Sequence, residues 1–191
     1  MQTRSLAVPT LQIDRGIVHF KEGTVGDIQQ MSNYWFTSDL PGSEDELTEE
    51  IIEVTRQYLI SLVEKGDILI IAELEGEMVG RLFINLKDRQ KPNSRIKVDH
   101  PTGIIERVKV SIEHQGIGRA LIANAELVIL DSGLSASEMG VHEANTRALA
   151  IYESLGYTQL LSDHEERTAL FHGFITYRYQ GKTAILFKYL R

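Results

Sequence analysis

Val108-Lys109-Val110-Ser111-Ile112-Glu113-His114-Gln115-Gly116-Ile117-Gly118-Arg119-Ala120-Leu121 is the stretch that decides how this chain folds. It leaves a β-branched strand, crosses a short polar turn holding two glycines, and enters an apolar stripe at helical spacing. Glycines, having no Cβ, let such a turn bring successive backbone N–H groups close to an anion. The helix behind adds its own unbonded N–H groups and the positive end of its dipole. The ligand this suits is a phosphate or diphosphate, with Arg119 as a second contact. Two designs built on the same physics do not fit. Arg119 and Ala120 follow Gly118 where a P-loop needs Lys-Ser/Thr, and Leu121 stands where a dinucleotide fingerprint has its third glycine.

Outward from that segment, strands and helices interleave. Gly16–Phe20 reads as a strand and Asp27–Phe36 as a first helix. Ser43-Glu44-Asp45-Glu46 has the capping-box pattern, and Leu47, Ile51, Val54, Tyr58 and Leu62 continue it as a second helix up to Lys65-Gly66. Ile68–Leu74 and Met78–Ile84 flank Glu75-Gly76-Glu77 as a hairpin. Asp88–Pro101 reads as a loop, Ile104–Val110 as a strand, Gly116–Leu130 as a helix stopped by Gly133, and Ser135–Val141 as a strand. Asn145 caps a helix through Leu155, ended by Gly156. Phe174–Tyr179 and Thr183–Tyr189 form a closing hairpin around Gln180-Gly181-Lys182, and residues 162–173 read as a loop. The implied fold is α/β: a mixed sheet of about six to seven strands flanked by helices, in a single domain over residues 14–191. Residues 1–13 carry no period and read as a flexible tail.

The chain has 191 residues, a formal net charge of −7, 42% hydrophobic residues and no cysteine. That length supports one sizeable core without staples. The missing cysteines exclude disulfides, thiolate metal sites and a cysteine nucleophile. The acid excess argues against nucleic acid as a partner. No apolar run reaches the roughly 18 residues of a membrane span, and the first residues make a poor signal peptide, so a soluble cytoplasmic protein is expected. The histidines show no metal-ligand spacing, so no metal is expected.

With these residues in hand, the chain resembles the GNAT superfamily of N-acetyltransferases. The family signature Gln/Arg-x-x-Gly-x-Gly/Ala is filled by Gln115, Gly118 and Ala120, or, shifted by two residues, by Glu113, Gly116 and Gly118. The second register departs from the family, because Glu113 takes the Gln/Arg position. A second motif supports the resemblance. Asn145-Thr146-Arg147-Ala148-Leu149-Ala150-Ile151-Tyr152-Glu153-Ser154-Leu155-Gly156-Tyr157 looks like the family's Asn-x-x-Ala-x-x-x-Tyr-x-x-x-Gly-Phe/Tyr segment.

The resemblance implies acetyl-coenzyme A as donor and an amine, small or on a protein, as acceptor. It implies that two central parallel strands splay apart, with the pantetheine arm pairing along Val108, Lys109 and Val110 as an added strand would. Gln115, Gly116, Ile117, Gly118, Arg119, Ala120 and Asn145 would complete the coenzyme site. Tyr152 would be the general acid to the leaving thiol and a coenzyme neighbour. A neutral aliphatic amine is needed for attack, and such an amine has a pKa of about 10, so a base is required. Glu106 is the candidate, because an even step from Val108 and Val110 puts the three side chains on one face of a regular strand. The Val110 N–H is a candidate oxyanion donor.

Each reading has a plainer rival. Tyr152 lies on its helix's apolar stripe and suits a core; Glu106 suits a solvated strand face; Asn145 is explained by capping alone. Acids from Asp39 to Glu50 suit a helix start, or they attract a cationic acceptor; Tyr34 and Trp35 suit the core, or they wall the acceptor site. A coenzyme-sensing domain without transfer, a transferase of another acyl group, and a homodimer all stay open.

Overall fold

The computed structural model describes residues 6–37, 48–86, 100–171 and 174–190. Among these residues eight strands form one sheet: β1 Thr10–Ile13, β2 Gly16–Glu22, β3 Ile68–Leu74, β4 Glu77–Asn85, β5 Thr102–Val110, β6 Ala136–His142, β7 Thr158–Phe171 and β8 Phe174–Tyr189. Their order across the sheet is β1-β2-β3-β4-β5-β6-β8-β7. All neighbours are antiparallel except β5 and β6. The helices are α1 Val25–Gln30, α2 Tyr34–Thr37, α3 Glu49–Glu64, α4 Ile117–Asp131 and α5 Thr146–Ser154.

The fold is the expected α/β arrangement of a mixed sheet flanked by helices, with three differences. The first concerns the N-terminal segment. Thr10–Ile13, expected within a tail, pairs with β2, and the amide of the fully buried Asn124 in α4 grips Val8 at both ends. Asn124 Oδ1 accepts the Val8 N–H at 2.6 Å and its Nδ2 donates to the Val8 carbonyl at 2.9 Å. A polar clamp of this kind leaves no periodicity for a sequence reading to find.

Second, Gln180-Gly181-Lys182 is no turn. Gly181 stands opposite Glu165 inside one long ladder that runs on to the pair Phe171 and Phe174. Residues 162–171, expected as a loop, are therefore strand, and the sheet has eight strands rather than six or seven. Third, the expected helix Asp27–Phe36 is two short ones. α1 starts at a capping box in which Thr24 and Asp27 bond reciprocally, and it ends at Met31, whose ψ of 133° leaves the helical region. Helix α3 begins at Glu49 with Thr48 as its cap; the expected cap Ser43 and most of the expected loop 88–101 lie outside the described residues.

The sheet has a core on each face. On one, Ile105, Leu82, Ile84 and Ala72 meet Ile117, Leu121, Ala125 and Ile129 of α4. On the other, Leu69, Ile71 and Phe83 meet Ile28, Trp35, Phe36, Leu59 and Ile60 of α1–α3. Close approach of α4 to the sheet depends on absent side chains: a Cβ on Gly80 would stand 3.0 Å from Leu121 Cδ1, and one on Gly103 only 2.6 Å from Ile129 Cγ1.

Candidate active site

Strands β5 and β6 pair over three residues only, Thr102–Ile104 with Ala136–Glu138. Beyond them β5 stays with β4 as far as Val110, and β6 stays with β8 as far as His142. A gap therefore opens between the two strands, and no strand covers the edge of β5 along it. The direction of the edge groups follows from peptide planarity. Ser111 N–H donates to Val79 of β4 at 3.0 Å, so the Val110 carbonyl on the same trans peptide points away from β4, into the gap.

The strand is not regular. Arg81 stands opposite Lys109 and Phe83 opposite Glu106, three steps on β5 against two on β4. This is a β-bulge, and Arg107 at φ +57° occupies it. It reverses the alternation on which the expectation for Glu106 rested. Glu106 shares the face of Phe83, toward α1–α3, whereas Val108 and Val110 pack on the α4 side. Contrary to the even-step expectation, the side chains of Glu106, Val108 and Val110 do not share a face.

The gap continues into a cleft of about 920 Å³, a size suited to a large ligand. Val108, Lys109, Val110, Gly116, Ile117, Gly118, Arg119, Asn145 and Tyr152 all line it, so most of the expected site converges. Gly116 is the N-cap of α4 at φ +81° and offers no side-chain cap; the first intrahelical bond runs from Ala120 N–H to the Gly116 carbonyl at 3.0 Å. The N–H groups of Ile117, Gly118 and Arg119 therefore have no partner within the helix and lie at the cleft. This favours the register in which Gly116 and Gly118 carry the turn and Glu113 takes the Gln/Arg position.

Gln115 and Ala120 do not join the cleft lining. Gln115 turns the other way and clips Asp14, donating to Oδ2 at 2.9 Å and accepting from its N–H at 3.3 Å, while Ala120 is buried in the α4 interface. Glu106 does not line the cleft either. Asn145 does, but its Oδ1 is occupied as a cap, accepting Ala148 N–H at 3.0 Å.

The cleft also takes in residues outside the expected site, among them Arg107, His114 and Arg147, together with Glu113 of the second register. Arg147, in the first turn of α5, bonds Glu113 across the cleft mouth and holds its carboxyl below the usual range. Tyr34 lines the cleft and donates to the Val110 carbonyl at 3.4 Å, whereas Trp35 is core. Among the described residues, the cleft lining holds Arg107, Lys109, Arg119 and Arg147 and one carboxylate, Glu113, in a chain of net charge −7. A basic cleft on an acidic protein was recoverable from the sequence only by knowing which residues meet. Burial raises the Tyr152 phenol above its ordinary value, so it stays protonated at neutral pH.

Comparison with known proteins matches residues 29–157 to the family described as acetyltransferase (GNAT). The chain belongs to the GNAT acetyltransferase family. No curated protein matches its sequence. Among solved structures it is similar to an N-acetyltransferase from Staphylococcus aureus, with a TM-score of 0.66 and 11% identity over 91% of this chain and 99% of that one. It is also similar to a GNAT family acetyltransferase from Elizabethkingia anophelis with acetyl-CoA bound, with a TM-score of 0.60 and 17% identity over 93% and 99%. A third is the ribosomal-protein-S18-alanine N-acetyltransferase from Escherichia coli, with a TM-score of 0.61 and 14% identity over 91% and 94%. At these identities the likeness establishes a shared GNAT fold. Among the described residues, no helix is long and apolar enough to cross a membrane.

Proposed function

We propose that this GNAT protein transfers the acetyl group of acetyl-coenzyme A to a primary amine, small or on a protein, in the cytoplasm, by direct attack. The observation that carries this reading is the convergence, in one cleft, of the β5 edge that no strand covers, the first-turn amides of α4 left without a partner in the helix, and a tyrosine that burial keeps protonated. The residues present suit that donor. The N–H groups of Ile117, Gly118 and Arg119 suit donation to a diphosphate, and the edge from Val110 back to Val108 suits pairing with an amide-bearing arm as an added strand. When bound, the coenzyme supplies an acetyl group activated as a thioester.

The chain's own groups then divide the work. The β5 edge offers a backbone N–H to negative charge developing on the thioester oxygen. Tyr152 gives its proton to the departing sulfur, whose thiol has a pKa of about 8.5. Glu106, on the α1–α3 side of the bulge, takes the proton of an amine approaching from that side, directly or through water. As nitrogen bonds to the acyl carbon, the C–S bond breaks and its electron pair leaves with sulfur.

Tyr152→Phe tests the reading. Calorimetry should give a coenzyme A affinity within about threefold of wild type, while turnover at saturating acetyl-coenzyme A, followed by thiol release with a panel of amines, should fall about 100-fold, within the usual range for general acid catalysis. Absence of coenzyme A binding to the wild-type protein would overturn the proposal. Binding without turnover on any amine would favour a sensor.

A further inference from the structure

Arg81 is fully buried in the middle of β4, between two elements that border the cleft. Its Nη1 donates to the Arg107 carbonyl at 3.1 Å and its Nη2 to the Trp35 carbonyl at 2.8 Å, with the guanidinium 5.6 Å from the Phe83 ring centroid. It therefore ties the β5 bulge to helix α2 beneath the α1–α3 face. Burying a guanidinium is costly unless its donors are used. One of these bonds goes to the single residue of β5 held at positive φ.

The consequence lies across the peptide. Arg107 and Val108 share a planar trans unit, so fixing the Arg107 carbonyl toward Arg81 points the Val108 N–H the opposite way, toward the gap. Val110 adjoins the turn that would hold the diphosphate. Val108 lies farther along the edge, about 7 Å at strand rise, toward the thioester end of a donor arm. We infer that Arg81 is a positioning residue: by clamping the bulge it aims the Val108 N–H at the thioester oxygen, making Val108 rather than Val110 the oxyanion donor. This rests on the proposed acetyl transfer. It adds an element which that reading does not need, a buried cation acting through backbone on the reacting carbonyl.

The test uses the full-length protein with acetyl-coenzyme A carrying ¹³C at the thioester carbonyl. In wild type the bound carbonyl resonance should move downfield of the free value, as hydrogen bonding polarises it. In Arg81→Met, which keeps length but donates nothing, that displacement should collapse. Turnover with the best amine of the panel should fall about 10- to 100-fold, toward the loss seen when an oxyanion donor is removed. Coenzyme A affinity by calorimetry should stay within about threefold, because α4 holds the diphosphate. A buried arginine serving packing alone would lower thermal stability and leave the carbonyl resonance in place. Should Arg81→Met not fold, Arg81→Lys, which reaches one carbonyl at most, should show a partial collapse. Either folded variant with a wild-type carbonyl shift and turnover overturns the inference. A wild-type protein that binds no coenzyme A overturns the functional reading beneath it, a result distinct from binding with an unshifted variant.

Discussion

Replacing Gly116 by alanine separates the cost of backbone conformation from the cost of space. A Cβ built there meets nothing nearer than Leu11 Cδ2 at 3.9 Å, an ordinary contact. The penalty is therefore conformational: at φ +81° an L-residue pays about 1–2 kcal/mol. Alanine also stiffens the unfolded chain, which returns about 0.4–1 kcal/mol to stability. If the turn keeps its shape, the net loss is at most about 1.5 kcal/mol, a fall in Tm of a few degrees for a chain this long. If the turn instead relaxes to negative φ, the amides of Ile117–Arg119 lose their setting. The 1–2 kcal/mol then appears as a roughly 5- to 30-fold weaker coenzyme A affinity. Thermal unfolding and calorimetry on the same preparation capture both routes. Gly116→Asn should lose distinctly less, because asparagine tolerates this region of backbone space. Alanine and asparagine variants both equal to wild type in Tm and in affinity would refute the left-handed cap and the anion site built on it.

Other expectations follow from single features. Gly103→Ala places a Cβ 2.6 Å from Ile129 Cγ1 and 3.0 Å from its Cγ2, in a fully buried contact; overpacking of about 1–3 kcal/mol should lower Tm by about 3–10 °C, and adding Ile129→Val should recover part of it. Burial, with Glu126 nearby, raises the Tyr157 phenol, and burial raises that of Tyr152. The unfolded chain therefore ionises first, and their contribution, whole below about pH 10, is lost as pH climbs above it. Urea midpoints measured from about pH 9 upward should fall, and Tyr157→Phe should flatten that fall; an unchanged slope would count against buried phenols as its cause. Glu113→Gln frees Arg147 and removes the one acid among the cleft's described lining residues, so coenzyme A affinity at low salt should rise several-fold and the gain should shrink near 1 M salt. No gain at low salt would mean the cleft's field does not steer the donor.

Much of the fold was legible because periodicity and punctuation agreed. The apolar stripe of α4 ends at Gly133, the run of α5 starts at an asparagine cap, and Gly76 turns the β3–β4 hairpin, each as its side-chain chemistry dictates. The long β7–β8 ladder was not legible. Ser162-Asp163-His164-Glu165-Glu166-Arg167-Thr168 has no apolar alternation, and Gly181 offers a turn that backbone pairing overrides. Within the site, Gly118, Arg119 and Tyr152 on regular helix line the cleft as expected, Ala120 is buried in the core instead, and the parity error fell at Arg107. An arginine at positive φ carries no sign of it in its own letter, so the parity count ran through a bulge and put Glu106 on the wrong face. Gln115 fitted a motif by letter, yet it serves Asp14 across the N-terminal segment, a contact no local pattern encodes.

The seam between β5 and β6 has a mechanical meaning. Five strands on one side and three on the other are stitched by three residue pairs, whereas β6 and β8 share seven. No other seam in the sheet has so few paired residues; every other neighbouring pair shares at least four. The line of least cohesion and the slot shaped for a ligand are one and the same, so anything that lies down in the slot as a strand also bridges the seam.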